Sequence, residues 1–551
     1  MPPFVISFVN IRYILCLCGF LTLLFLTLPA FAATTIPFTI NLSEAVTVTG
    51  TPRIAVDVGG VTRYATYSSG SGTSALTFTY AMVAGDVDLD GVTLSSPIDL
   101  NGGTIKDLAG NDLSPLTFTV PNTSNVKANY PSLGMDFVYD ADGRYTLNGT
   151  AYNDLSSFLT AASGTFTRAS IGTYFDSAGI LQTTASGVPR FDYDPVTLQP
   201  RGILIEESRT NSTINTPTGQ AGTVSASTIS GPNGIVSGYR FLANGTNANH
   251  AIYFGTQSTT SGTTYTESVF VKAGSLTLLQ MGISSSVVNT GNAYANFNLA
   301  TSAITNGASI ISSGITPLPN NWFRIWITFT ANGVGGGPAG QISTITSMSD
   351  PKTPPNTSSG DFYIYGPQRE IGSFPTSYIP TTTAAVTRAT DRLYIDYGVG
   401  NTPPWYNITE GAIFAEFYPL ANTQHSNAQN IVYLSANSSN SNRLHLFRSP
   451  STTLLSARIV ESNSVKIGTS FPAIVENTIH KASLGYSATT TTAYAANGAL
   501  RATGAAGAPV NISRIDIGGE TFGIQVLDGY IRKIKYYPLR LSNTQHQLLT
   551  Q

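Results

Sequence analysis

The chain has 551 residues, more than one compact core can use, and only 11% of them are charged, against roughly a quarter in an average soluble protein. Its 28 basic and 30 acidic residues form no basic block or basic helix, which argues against the clustered positive footprint of a nucleic-acid binder. Many Gly (52), Tyr (27) and Phe (26) residues point to pleated, turn-rich β-structure, and the ordinary apolar content with small net charge argues against disorder.

Residues 1–32 have the pattern of a cleaved secretory signal peptide. Arg12 precedes the apolar run YILCLCGFLTLLFLTLP, and AFA supplies small residues for a cut after Ala32. The alternative is an uncleaved anchor, but the run is short for a membrane span. The exported chain is then expected outside the cytoplasm, secreted or at the cell surface, with no membrane span. Cys16 and Cys18 fall inside the leader, so that chain has no thiol, disulfide or Cys–metal chemistry.

Residues 35–121 read as short alternating strands punctuated at Gly59-Gly60, Asp90-Gly91 and Gly102-Gly103, the pattern of a β-sandwich. The words SEAVTVTGTPRIAVDVGG, SGSGTSALTFTYAMVAGDVDLDGV and LNGGTIKDLAGNDL resemble bacterial immunoglobulin-like adhesin repeats. That resemblance implies a spacer or display module. Within it, Asp86, Asp88 and Asp90 precede Gly91 and can present hard oxygen ligands to Ca²⁺. They can equally form a solvated acidic turn, and Pro97 stands where an EF-hand would need Glu. Asp140 and Asp142 are a weaker copy of the same pattern.

Residues 122–211 form a connector without a visible core of its own, expected to pack against the sandwich that follows. TFTRASIGTYFDSAGILQTTASGVPRFDYDPVTLQPRGILIEESRTN resembles a leader of phage tail and capsid-decorating proteins. Residues 212–391 are a second sandwich, with TYTESVFVKAG, WFRIWITFT and DFYIYGPQ as its clearest strands. The order ESVFVKAG, NNWFRIWITF, DFYIYGPQREIGSFPTSYIPTT, VTRATD resembles carbohydrate-binding jelly rolls of phage tail-fibre and secreted bacterial proteins. On a strand, Trp322, Arg324 and Trp326 share one face and Phe323, Ile325 and Ile327 the other. Two indoles and a guanidinium suit a sugar, whose C–H faces stack on flat aromatics. The competing reading buries Trp322 or Trp326 under a loop or a neighbouring domain. Tyr363 and Tyr365 alternate onto one face and can extend the platform or fill a core. The Gly-rich Val334 to Gly340 stretch is expected to be a loop.

Residues 410–551 form a third sandwich, with Trp405 expected to pin the preceding junction and Ser542 to cap a short last helix. EGAIFAEFYPL and LDGYIRKIKYYPLRLSNTQHQLLTQ resemble the two ends of laminin-G-like, concanavalin A-like lectin domains. In GYIRKIKYY, strict alternation sets Arg532, Ile534 and Tyr536 against Ile531, Lys533 and Lys535.

Catalytic signatures are missing. Glu206 and Glu207 are neighbours, which point to opposite strand faces. Glu416 has Tyr418 two residues on, where the glucanases of the concanavalin-like fold carry a second acid. His250, His425, His445, His480 and His546 are scattered, with no zinc spacing. The sequence reads as an all-β series of sandwiches. Its expected role is a secreted, non-catalytic, lectin-like protein that binds glycans, with calcium as the only cofactor in question. The alternatives are a structural component of an extracellular fibre, for which homo-oligomerisation is the discriminating property, and a polysaccharide-degrading enzyme.

Overall fold

The computed structural model describes residues 35–138, 145–289, 293–333, 336–420, 428–436, 439–450, 452–520 and 525–551. The leader, Asp140, Asp142, Val334 and His425 lie outside the described residues. The described chain is almost wholly antiparallel β-sheet, arranged as serial sandwiches. No described helix is long and apolar enough to cross a membrane.

The first body is a six-stranded sheet in which Thr35–Thr49 is the longest strand, one in from an edge. Its first part pairs with Thr73–Ala81, and after a register shift between Asn41 and Val46 its last residues pair with Thr104–Asp107. Phe38, Ile40, Ile54, Val56, Leu76 and Phe78 alternate inward and are fully buried. This is the period-2 pattern of a half-buried strand carried through to packing.

The central body has two six-stranded sheets face to face. One contains Tyr239–Ala243, Asp361–Ile371, Thr264–Ala273, Trp322–Thr330 and Ser312–Pro317 in that spatial order. Phe241, Val269, Val271, Ile325, Ile327 and Phe362 fill the space against Ile252, Phe254, Leu279, Met281 and Phe297 of the other. Gly336–Thr344 is a strand paired with Ala251–Ser258, so most of the expected Gly-rich loop is sheet. A backbone ladder needs no side chains, and glycine forms it as other residues do.

The C-terminal body is discontinuous in sequence, and here the expected organisation needs correction. The connector does not belong to the sandwich that follows it. Leu133–Asp136 and Pro200–Ile205 pair side by side along one edge of Gly529–Tyr537, with Tyr536 opposite Leu133 and Ile203 opposite Ile531. Gly164–Thr167 pairs with Arg392–Asp396 in the second sheet of the same body. Leu133, Met135, Phe158, Ile203 and Ile205 share one core with Ile413, Phe417, Leu444, Ile515 and Ile531. The physical reason is the edge of Gly529–Tyr537, whose N–H and C=O groups would be unpaired without the connector. The central sandwich is thus an insertion between two strands of the C-terminal one. Alternation in Gly529–Tyr537 is also broken. A bulge opposite Glu416 and Phe417 lets both Ile531 and Ile534 enter the core, three residues apart. Ser542 caps the last helix, its Oγ accepting from Gln545 N at 3.2 Å.

The insertion is closed by a neck in which Arg209–Asn211 pairs with Val386–Arg388. Beneath it lies a buried ion cluster. Arg168 Nη1 and Arg190 Nη2 both donate to Asp391, the first at 3.1 Å. Arg190 and Arg388 meet Glu206 Oε2 at 2.8 and 3.0 Å. The Ser377 amide and hydroxyl donate to the same carboxylate at 2.8 and 2.6 Å. All five charged residues of the cluster are no more than 1% exposed. Burial pushes the Glu206 carboxyl up, but Arg388 and Arg190 outweigh it and hold it at about 2.

Because its folded pKa lies below the ordinary value of 4.5, Glu206 contributes stability that is complete above that pH and disappears as the pH falls through about 2. The displacement corresponds to about 3 kcal/mol. Chemical denaturation between pH 7 and 2 should show this component of acid lability in the native protein and its loss in Glu206→Gln. The variant should also be less stable at pH 7 by roughly 3–5 kcal/mol, because it leaves two buried guanidinium groups short of charge.

Candidate functional site

The strand Trp322–Thr330 buries Ile325 and Ile327 in the sandwich core, which turns Trp322, Arg324 and Trp326 outward. Outward here means toward the connector and the C-terminal sandwich. The three side chains meet different fates there. Trp322 is 1% exposed, packs with Leu181, Phe270, Leu318 and Tyr378, and donates from Nε1 to the Ser230 carbonyl at 3.0 Å. It is a plug between bodies and has no face left for a ligand. Tyr363 and Tyr365 belong to the fringe of the same cluster. Tyr365 sits 5.9 Å from Phe270 and 5.5 Å from Tyr378, and burial raises its hydroxyl pKa. The five-residue platform is therefore corrected to two residues, since large apolar rings beside a domain boundary gain more by burial there than by exposure.

Trp326 and Arg324 are half-buried and line a cavity of about 690 Å³. The indole lies against Gly314 of the adjacent strand, which stands opposite Trp326 in register. A Cβ at Gly314 would come within 2.4 Å of the indole Nε1, so only glycine leaves room for this pose. The Arg324 guanidinium carbon stands 5.4 Å from the centre of the Phe270 ring, and its Nη2 donates to Ser268 Oγ at 2.9 Å. Arg324 Nε is buried without a hydrogen-bond partner. Burial lowers the Arg324 pKa, and the charges of Glu370 and Glu206 pull it back up.

The other walls come from segments in which the sequence showed no binding motif. The exit Ser373–Tyr378 lashes down the end of the last central strand and supplies one side. Thr173 Oγ1 donates to the Tyr378 carbonyl at 2.6 Å and fixes it there. The connector supplies Asp192, Arg201 and Glu206, and the C-terminal sandwich supplies Tyr418, Glu476 and Tyr530. The Tyr530 hydroxyl donates to Asp192, and Arg201 pairs with Asp194 at 2.8 Å beneath the Tyr418 and Tyr530 rings. Burial pushes the Asp192 carboxyl up, against the pull of Tyr530 and Arg201. Glu476 is half-buried and makes no hydrogen bond or ion pair among the described residues. A tertiary junction built from many separate stretches leaves no local periodicity to read, which is why these residues were missed.

The acidic loop does not fit a calcium ion. Asp86 Oδ1 accepts from Arg63 Nε and Nη2 at 3.0 and 2.9 Å, and its Oδ2 accepts from the Val83 amide at 2.8 Å and from the Tyr80 hydroxyl. Asp88 accepts from the Gly59 and Gly91 amides at 2.8 and 2.7 Å. Asp90 accepts from Gln545 Nε2 at 2.5 Å. These oxygens face donors, whereas a calcium site turns its oxygens onto one point. The loop is instead a joint. Val87 and Leu89 pack against Leu541 and Leu549 of the C-terminal body, and the Leu89 amide donates to Gln545 Oε1 at 3.0 Å. Among the described residues no three His, Cys, Asp or Glu side chains are grouped for a metal. Glu416 is held by Arg532 at 2.7 Å and Glu207 by Arg209. Trp405 is 1% exposed and stands edge-on to Tyr536, inside the C-terminal core.

No family model matches the chain, and no curated protein sequence does. Among solved structures, it is similar to the CBM40 of the Ruminococcus gnavus IT-sialidase bound to α2,3 sialyllactose, at 16% identity over 28% of this chain and 92% of that one, with a TM-score of 0.23. It is also similar to the SAP-like pentraxin of Limulus polyphemus, at 16% identity over 27% and 77%, TM-score 0.20. The mouse laminin α1 LG4-5 domains align over 52% of this chain and 84% of theirs, at 10% identity and a TM-score of 0.18. These are likenesses of β-sandwich fold alone.

The geometry of the acidic loop has a measurable consequence. The protein should melt at the same temperature in calcium and in EDTA. Asp86→Ala should lower that temperature in both, since it strands Arg63 and the Tyr80 hydroxyl. A melting temperature that rises with calcium in the native protein and not in Asp88→Asn would overturn the assignment.

Proposed function

We propose that this is an exported, non-catalytic protein that binds glycans on a cell or particle surface, with the sugar seated in the cavity between the central and C-terminal sandwiches. The observation that carries this reading is the Trp326 indole. It is held against Gly314 with one side open to a cavity of about 690 Å³. A rigid aromatic wall with a few convergent polar groups is the composition of a small-ligand site, and the volume is in the usual range. A sugar ring can lay its C–H face on the indole while its hydroxyls meet Arg324, Glu476 and the Ser373–Tyr378 segment. The leader pattern of residues 1–32 supports export. The lectin-like words of the central and C-terminal sandwiches, and a CBM40 with a bound oligosaccharide among the similar structures, are in keeping with a glycan as ligand.

The non-catalytic part rests on how the cavity's acids are used. Glycosidases need two carboxyl groups free to act on either side of a bond. Glu206 is occupied by two arginines and Ser377, and Asp192 by Tyr530 and the Phe175 amide. Glu476 is the one of these acids without a hydrogen bond or ion pair among the described residues, and one carboxylate does not make the pair.

A structural fibre role is favoured by a different observation, the firm joints between bodies at Val87–Leu89 and at the neck. Sedimentation of the purified chain separates the two readings, since a fibre component assembles and a simple binder does not.

The test of the glycan reading is an array screen of the chain from Ala33 onward. Trp326→Ala should weaken binding at least tenfold, about 1.4 kcal/mol, with an unchanged melting temperature. Gly314→Val, which pushes the indole aside, should do the same. Trp322→Ala should instead destabilise the fold by about 3–5 kcal/mol. A well-folded protein that captures no glycan would sink this reading.

A further inference from the structure

The buried ion cluster behind the cavity leaves one guanidinium of the cavity wall without a direct ion pair. At the neck, Arg168, Arg190, Arg388 and Arg324 stand around Asp391, Glu206 and Glu370. Asp391 takes Arg168 and Arg190, and Glu206 takes Arg190 and Arg388. Glu370 accepts from Gln368 at 2.7 Å and from the Thr376 amide and hydroxyl at 2.9 and 2.7 Å. That leaves Arg324 as the guanidinium of this group without a carboxylate among the described residues. Its single hydrogen bond goes to Ser268 Oγ, and its Nε has no partner. An arginine keeps its charge at any physiological pH, so a half-buried guanidinium that feels Glu370 and Glu206 only at a distance, with no direct ion pair, is costly to hold.

Resting on the glycan reading above, we infer that the cavity's ligand is a carboxylated saccharide, whose carboxylate pairs with Arg324 while its ring lies on Trp326 and its hydroxyls donate to Glu476. Three features favour this class. Arg324 and Trp326 are two residues apart on one strand, so anion and ring are received on the same face. A planar carboxylate matches the free N–H groups of a guanidinium through two parallel hydrogen bonds. Glu206, Asp192 and Glu476 line the cavity beside Arg201 and Arg324, and these acids disfavour a dianion such as a phosphate ester more than a single carboxylate. Glu476 accepts and does not donate, which suits sugar hydroxyls and rejects a second carboxylate beside it.

The experiment presents the full exported chain with an array of carboxylated oligosaccharides, the same compounds after reduction of the carboxyl to a primary alcohol, and sulfated counterparts. The native protein should bind the carboxylated compounds at least tenfold tighter than their reduced forms. Arg324→Gln should bring that ratio close to one. Arg324→Lys should keep part of the preference. Equal binding of acid and reduced forms by the native protein overturns the inference and leaves the glycan reading intact, as does a preference for sulfated compounds. Binding of no glycan of any kind overturns both. The acid-to-reduced ratio is measured on the native protein, so it decides the matter even if the Arg324 variants fold poorly.

Discussion

The structure depends on the buried pairing of Asp391 and Glu206 with Arg168, Arg190 and Arg388. The two acids lie on either side of the inserted sandwich in sequence, and the Glu206 amide donates to Asp391 Oδ2 at 3.0 Å. The insertion therefore begins and ends at one point, where its entry and exit strands pair. Five charges buried together would be a poor way to gain stability alone, since apolar residues of equal volume often do as well. What they contribute is specificity. Removing any one strands the others, so the neck has one arrangement, and the face of the central sandwich carrying Arg324 and Trp326 is held at a fixed position against the connector.

That fixed position creates the cavity. The outward face of Thr264–Ala273 and Trp322–Thr330 bears Ser268, Phe270, Trp322, Arg324 and Trp326. At one end the connector hairpin, with Leu181, closes over it and buries Trp322. Toward Trp326 the stripe faces the cavity, whose other walls come from the connector with Asp192 and Arg201 and from the C-terminal sandwich with Tyr418, Glu476 and Tyr530. The same stripe is thus interface at one end and cavity wall at the other. The difference between Trp322 and Trp326 lies in what stands across from them, four residues apart on one strand.

This explains which parts of the sequence were legible. Alternation gave the strands and the sidedness of Trp322–Thr330, because the period of a strand is a local property of the backbone. The exit segment was also readable, with Phe374, Tyr378 and Ile379 buried as an exit that lashes down the last strand requires. Three features were not readable. The bulge that brings both Ile531 and Ile534 inward is set by pairing with Glu416 and Phe417, more than a hundred residues away. The connector's place beside Gly529–Tyr537 depends on an unsatisfied edge at the far end of the chain. The acidic loop looked like a metal site because spacing shows where oxygens can be, while their use was decided by Arg63, Tyr80 and Gln545 on other strands and another body.

A binding site formed at such a junction has consequences that one on a single sandwich lacks. Its walls belong to bodies whose relative position is set by buried charge, so the site is preorganised and a ligand need not order them. The arginine that faces the cavity belongs to the same electrostatic neighbourhood as the cluster, since Glu206 and Glu370 both act on its charge. An anion placed on Arg324 would meet the outer field of Glu206 as well, and the neutralising arginines behind Glu206 limit that repulsion. The ions that hold the inserted domain in place therefore also set which ligands the cavity tolerates, and the neck cannot be redesigned without altering the site.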